Sequence, residues 1–196
     1  MNGVADLLQE ASVEEVAGFI RSRAVTSIEV TGACLERIHK LDGAHHVFIT
    51  VLEEDALVAA ARADDDVRRG RLIGPLHGVP VSVKDAFLMR GTPTTVGAAV
   101  LRTHAPTEGD AACLDRLRDA GAVLLGKVNV GSGIAWQAVA LSQSRLPPAE
   151  NPWRRGYTPG GSSSGSAVAV ALGIGRTAEA LGLRGLSKEQ IAALVT

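Results

Sequence analysis

The run Thr158-Pro159-Gly160-Gly161-Ser162-Ser163-Ser164-Gly165-Ser166 passes without a polar spacer into Ala167-Val168-Ala169-Val170-Ala171-Leu172-Gly173, and this junction constrains the fold more than any other stretch. Its glycines free the backbone, its serines crowd the turn, and the small apolar residues behind it can approach a neighbouring element closely. Such a composition suits a loop that presents hydroxyls and backbone N–H groups at a helix N-terminus. A flexible Gly/Ser linker has a similar composition, but a linker has no reason to enter an Ala/Val segment directly. A phosphate-binding loop does not fit, because no Gly-Lys-Ser/Thr follows and Gly-x-Gly-x-x-Gly is absent. Gly161-Ser162-Ser163-Ser164-Gly165 does match the Gly-x-Ser-x-Gly nucleophile elbow of α/β-hydrolases. That fold, however, needs an acid and then a histidine after the serine, and the last histidine of this chain is His104.

What packs around the loop follows from the rest of the chain. Its 196 residues, 46% apolar and 21% charged, suffice for one domain with a core. With three Phe, two Trp and one Tyr, that core must be built from Ala, Val, Leu and Ile. A net charge of −1 gives no general attraction to nucleic acid or anionic membrane, and Arg68-Arg69-Gly70-Arg71 and Arg154-Arg155 read as solvated turns. Cys34 and Cys113 lack metal-ligand spacing, and each is expected as a buried thiol on a helix. The first residues have neither a basic nor a long apolar region, and no later run is long enough to span a bilayer, so a cytoplasmic location is expected.

Ser12-Val13-Glu14-Glu15 is a capping box, followed by Val16, Phe19 and Ile20 at helical spacing to about Arg23. Thr26-Ser27-Ile28-Glu29 is a second, opening a helix with the stripe Ala33 or Cys34, Leu35, Ile38 and Leu41 that ends near Gly43. Residues 46–52 are suited to a strand, and 53–69 to an Ala-rich helix stopped by Gly70. After the turn Gly74-Pro75-Leu76-His77-Gly78, residues 79–84 alternate. Val79, Val81 and Val83 fall on one face and Ser82 and Lys84 on the other, and Pro80 argues for an edge position or the very start of a strand. Residues 110–120 predict a helix through Cys113, Leu114 and Leu117, closed by Gly121 and followed by the buried strand Ala122-Val123-Leu124-Leu125. Helix, short loop and strand in this order are α/β wiring. Residues 142–157, with Pro147, Pro148 and Pro152, are irregular and deliver the chain to the Gly/Ser loop.

A lysine at a strand end is most often a surface charge. Beside a serine-rich loop, Lys84 offers another chemistry, since a desolvated lysine can act as a general base where no histidine is available.

Several motifs, taken in order, resemble the amidase signature family, whose members include amidases and the A subunit of tRNA-dependent amidotransferases. They are Gly74-Pro75-Leu76-His77-Gly78-Val79-Pro80-Val81-Ser82-Val83-Lys84-Asp85, Pro93-Thr94-Thr95, Ala120-Gly121-Ala122-Val123-Leu124-Leu125-Gly126-Lys127-Val128-Asn129, Asn151-Pro152-Trp153 and Pro159-Gly160-Gly161-Ser162-Ser163-Ser164-Gly165-Ser166-Ala167. The resemblance implies a Ser-Ser-Lys mechanism of amide hydrolysis through an acyl-enzyme. Lys84 would end the proton relay and Ser162 would bridge it after a cis Gly161–Ser162 peptide, with Ser163, Gly160 and Gly161 in support. The serines could instead simply cap the following helix. The resemblance also implies an α/β fold: the N-terminal part of the amidase signature fold, a mixed sheet flanked by helices, truncated. It implies a small-molecule amide substrate, with no cofactor, metal, membrane or direct nucleic-acid partner.

The family pattern then breaks. Its acylating serine follows the bridging one by some two dozen residues, in a Gly-Thr-Asp-x-Gly-Gly-Ser motif whose N–H groups form the oxyanion hole. No such motif occurs in 174–196. Ser187 stands at the right distance, but Ser187-Lys188-Glu189-Gln190 is a capping box and predicts a helix over 188–194. Residues 138–148 also depart from the family's usual approach to Asn-Pro-Trp. The expected organisation is therefore an N-terminal amidase portion over 1–173 and a divergent helical tail over 174–196. The nucleophile is unassigned, and the chain alone is expected to be inactive, with self-association if sheet edges are exposed. The alternative is a non-catalytic remnant or binding module derived from the same fold.

Overall fold

The computed structural model of the chain describes residues 11–131 and 146–174, together with Val4, Arg176 and Thr177. Both capping boxes form. Ser12 Oγ accepts from Glu15 N while Glu15 returns a carboxylate oxygen to Ser12 N, starting α1 (Val13–Arg21). Thr26 and Glu29 repeat the exchange at α2 (Ser27–His45), and these hydrogen bonds from Thr26 hold the Glu29 carboxyl below its usual range. The expected strand is β1 (Phe48–Val51), and the Ala-rich segment forms α3 (Glu53–Arg68). Then come β2 (Pro80–Lys84), a 3-10 turn (Ala99–Thr103), α4 (Ala112–Asp119) and β3 (Val123–Val128). The Gly/Ser loop leads into α5 (Ser164–Ala171), and a two-residue strand, β4 (Arg176–Thr177), follows.

The strands make one mixed sheet in the order β1–β3–β2–β4, with β1 antiparallel to β3 and β2 parallel to both β3 and β4. A mixed sheet with helices is the expected α/β class. Because β4 pairs with Val81 and Ser82 of β2, the sheet continues past residue 173, where the tail was expected to begin. The expected helix over 188–194 with its cap Ser187, and residues 138–145 of the divergent approach, lie outside the described residues.

Packing decides one open reading and corrects another. β2 is an inner strand, so of the two places open to Pro80, an edge or a strand start, it takes the start. With neighbours on both sides and helices above, all five residues of β2 are buried, Ser82 and Lys84 among them. The expectation of two buried thiols fails at Cys113, which is exposed, whereas Cys34 is buried. Adjacent helical residues project about 100° apart, and α4 buries Leu114, which turns Cys113 off the packed side. β3 also runs further than Leu125, through Gly126 and Lys127 to Val128.

The core joins Val16 and Ile20 of α1, Val30, Cys34, Leu35 and Ile38 of α2, the Ala56–Ala60 side of α3, the valines of β2 and Val168 and Ala169 of α5. Phe48 is the one aromatic side chain among the described buried core residues, as the composition requires. Polar ties fix β2 against this frame. Ser27 Oγ donates to Gly78 O (2.6 Å), and Asp64 of α3 accepts from the N–H groups of Ser27 and Ile28. Buried His77 accepts from Ile73 N at Nδ1 (3.2 Å), which leaves Nε2–H to donate to Ala63 O (2.9 Å). The turn before β2 is thereby pinned to α2 and α3.

Candidate active site

Lys84 closes β2, and the Gly/Ser loop opens α5 directly above it. The Gly161–Ser162 peptide is cis, and Gly160 has a left-handed backbone (φ 88°) that a side chain would disfavour. Ser162 O accepts from Gly131 N (2.8 Å), and Gly165 N donates to Asn129 O (3.0 Å), so the loop is stitched to the segment leaving β3. Gly165 is held so tightly that a Cβ there would meet Asn129 N at 2.3 Å and Val47 O at 2.8 Å. At the other end of α5, the Arg37 guanidinium donates twice to Leu172 O, at 3.0 and 2.6 Å. A cation at a helix C-terminus opposes the exposed carbonyl dipoles. The helix is thus fastened at both ends.

This places the two loop serines over the lysine. Lys84 Nζ donates to Ser162 Oγ and to Ser163 Oγ, both at 2.8 Å, and the Lys84 side chain is almost wholly withdrawn from solvent at 8% exposure. Ser163 occupies the N-cap position of α5 but makes no side-chain capping bond. The hydroxyls therefore face the amine rather than the helix. Lys84, Ser162, Ser163, Gly160 and Gly161, named separately in the sequence, lie together here.

Beside Ser162 opens a cavity of about 640 Å³ whose walls include Gly97, Val130, Leu146, Tyr157, Gly160 and Gly161. Ser162 also lines it, whereas Ser163 does not. Asn129 shapes this side: Nδ2 donates to His46 O (2.9 Å) and Pro147 O (2.8 Å), and Oδ1 accepts from Val130 N.

Sequence reasoning passed over the polar cluster on the opposite side of the sheet. Lys127 pairs with Val83 in the parallel register and Lys84 with Val128, so alternation sends the two lysines to opposite faces. Lys127 Nζ lies 2.6 Å from an oxygen of Asp85, and neither side chain has any exposure. The ammonium also donates to Thr94 Oγ1 (2.7 Å) and Pro93 O (3.0 Å). Burial pushes Lys127 below its usual pKa while the hydrogen bond and charge of Asp85 pull the other way. The second Asp85 oxygen accepts from Thr95 N (3.0 Å) and Thr95 Oγ1. Asp85 directly follows Lys84 in sequence, so this network anchors the end of the strand that carries the candidate base. The available signal was a lysine inside the apolar run Val123-Leu124-Leu125-Gly126-Lys127-Val128.

An amine within hydrogen-bond reach of a hydroxyl that borders a cavity can take a proton from it. Comparisons with known proteins return amidases and amidotransferase subunits. The profile of the Amidase family matches residues 29–180. The A subunit of the glutamyl-tRNA(Gln) amidotransferase of Acidothermus cellulolyticus is 42% identical over 168 residues, which cover 86% of this chain and 32% of the relative. The putative amidase AmiD of Mycobacterium tuberculosis is 41% identical over 169 residues, 86% of this chain and 34% of the relative. Among solved structures, the peptide amidase of Stenotrophomonas maltophilia superposes with a TM-score of 0.69 at 36% identity, covering 85% of this chain and 35% of that one. Fatty acid amide hydrolase, at 22% identity, shares the fold with a TM-score of 0.74, over 89% of this chain and 30% of its own. The chain spans about a third of the length of the relatives it matches.

Proposed function

The chain belongs to the amidase signature family, and from that premise we propose that its site serves hydrolysis of carboxamide C–N bonds, with Lys84 and Ser162 as the proton relay. A serine in the attacking role loses its proton through Ser162 Oγ to Lys84 Nζ. The carbonyl takes up the serine as an acyl-enzyme, the amine departs with the returned proton, and water completes the cycle. Ser163, Gly160 and Gly161 hold the relay in place. The observation that carries the reading is the 2.8 Å contact between the buried Lys84 Nζ and Ser162 Oγ, which joins two residues 78 positions apart.

The substrate class is a small-molecule amide. The attacking serine is not among the residues assigned, since the Gly-Gly-Ser motif that carries it in the family is absent from 174–196. This chain by itself is accordingly expected to release no ammonia above buffer from aliphatic or aromatic amides. Release that Lys84→Ala abolishes would make it a complete enzyme.

The relay is tested by splicing residues 29–180 into the Mycobacterium tuberculosis AmiD in place of its matched third. Amide hydrolysis should persist, and Lys84→Ala or Ser162→Ala should each lower kcat by about 10²–10⁴. Undiminished turnover in both variants would reject the assignment.

The setting we propose is the cytoplasm, which suits Cys34 and Cys113 standing as thiols rather than in a disulfide; no helix among the described residues is long and apolar enough to cross a membrane. Self-association belongs to the same proposal. It is supported by the sides of β1 and β4 that no strand among the described residues covers, and by exposed Trp153 and Tyr157.

A further inference from the structure

We propose that Lys84 and Ser162 also act as a self-sufficient acylation dyad, with Ser162 itself the nucleophile and activated esters, aryl esters of short carboxylic acids, the substrate class. Three observations support this activity. Lys84 Nζ lies 2.8 Å from Ser162 Oγ, within the reach over which an amine base takes a hydroxyl proton as attack begins. Ser162 is only half-buried and lines the cavity of about 640 Å³, so an acyl carbon can reach its oxygen from solvent. It also immediately precedes the N-cap of α5, whose positive dipole end favours the negative charge that develops as the ester carbonyl becomes tetrahedral.

The same geometry decides between the two serines. Ser163 Oγ is equally close to the amine at 2.8 Å, but Ser163 does not line the cavity. Acylation falls on Ser162.

The step balances without any further reagent. The Ser162 O–H bond breaks and its proton passes to Lys84 Nζ. The Oγ–C bond forms, the C–O bond to the aryl group breaks, and the aryl oxide leaves with the bonding pair, taking up the proton from Lys84 or from water. An aryl oxide is a far better leaving group than an amine and needs no positioned acid to depart. That is why esters suit a two-residue site where amides do not.

The dyad shares the base Lys84 with the proposed relay but needs no second serine and no amide turnover. The experiment treats the purified full chain with para-nitrophenyl acetate in a Cys113→Ser background, which removes the exposed thiol. It follows nitrophenolate release and maps the acetyl group by mass spectrometry after acid quench. The expected result is release that Ser162→Ala abolishes and Lys84→Met slows by at least ~10²-fold, with any trapped acetyl group on Ser162. The wild-type map decides the matter even if a variant fails to fold. Release unchanged in a folded Ser162→Ala chain, acetyl on Lys84 or elsewhere in place of Ser162, or no release above buffer would overturn the dyad. Failure of the dyad together with an active, Lys84-dependent chimera on amides would leave the relay standing. Acylation of Ser162 without amide turnover in the chimera would do the reverse.

Discussion

Lys127 and Asp85 have no exposed side-chain atoms, yet together they carry two full charges in the interior. Removing two ions from water costs several kcal/mol each, so such a pair holds only while its geometry and extra hydrogen bonds are intact. Here Thr94, Thr95 and Pro93 O supply those bonds. Asp85→Asn leaves a buried ammonium without its counter-charge and should destabilise the chain by about 3–5 kcal/mol. Asp85→Leu with Lys127→Met removes both charges and should cost clearly less than the single change. Urea unfolding of the three proteins measures both, and equal losses would mean that the pair carries no coupling. The sequence shows Lys84 at the end of one apolar strand and Lys127 inside another, but not which partner each meets. Only the parallel register of β2 on β3 sends one toward the serines and the other toward residues 93–95.

Among the elements, α5 governs the site because it brings the serines to the lysine, and the small residues that permit this are plain in the sequence. The Gly/Ser run followed by Ala and Val reads as a helix N-terminus, and α5 begins at Ser164. The reason for Gly165 is not visible there, because it lies in the backbone of another segment. A Cβ at 165 would stand 2.3 Å from Asn129 N and 2.7 Å from Asn129 O, atoms that cannot rotate away. Gly165→Ala must therefore lift α5 off the end of β3, and overpacking of this kind costs about 1–3 kcal/mol. A shift near 1 Å in reacting groups is worth about 10² in rate, so acylation of Ser162 should fall with stability. Gly32, inside α2 with nothing within 4 Å of the place a methyl group would take, supplies the control. Gly32→Ala should stabilise by about 0.5–1 kcal/mol through helix propensity and leave acylation unchanged. Thermal melts and nitrophenolate release on both variants make the comparison. A Gly165→Ala chain as stable and reactive as wild type would show that the close approach is not needed.

At the scale of the whole molecule, local signals are legible wherever neighbours in sequence decide the structure. Both capping boxes, the stop at Gly70 and the closure of α4 at Gly121 are of this kind. Exposure is less legible, since it depends on what packs against each element, and for that reason sequence alone puts Cys113 on the wrong side of the solvent boundary. The same dependence leads to the last prediction. The sheet ends in β1 on one side and the two-residue β4 on the other, and each leaves one edge open among the described residues. Trp153 is 79% exposed and Tyr157 54%, the latter under the Arg154 guanidinium. Open edges and large exposed apolar groups both favour contact between copies. Sedimentation velocity should therefore show an average sedimentation coefficient that rises with protein concentration. Trp153→Ser, which removes the largest exposed apolar group among the described residues, should weaken association by about tenfold, equivalent to ~1.4 kcal/mol. A single species of monomer mass at every concentration, melting cooperatively, would mean that these edges and side chains are tolerated by an isolated chain.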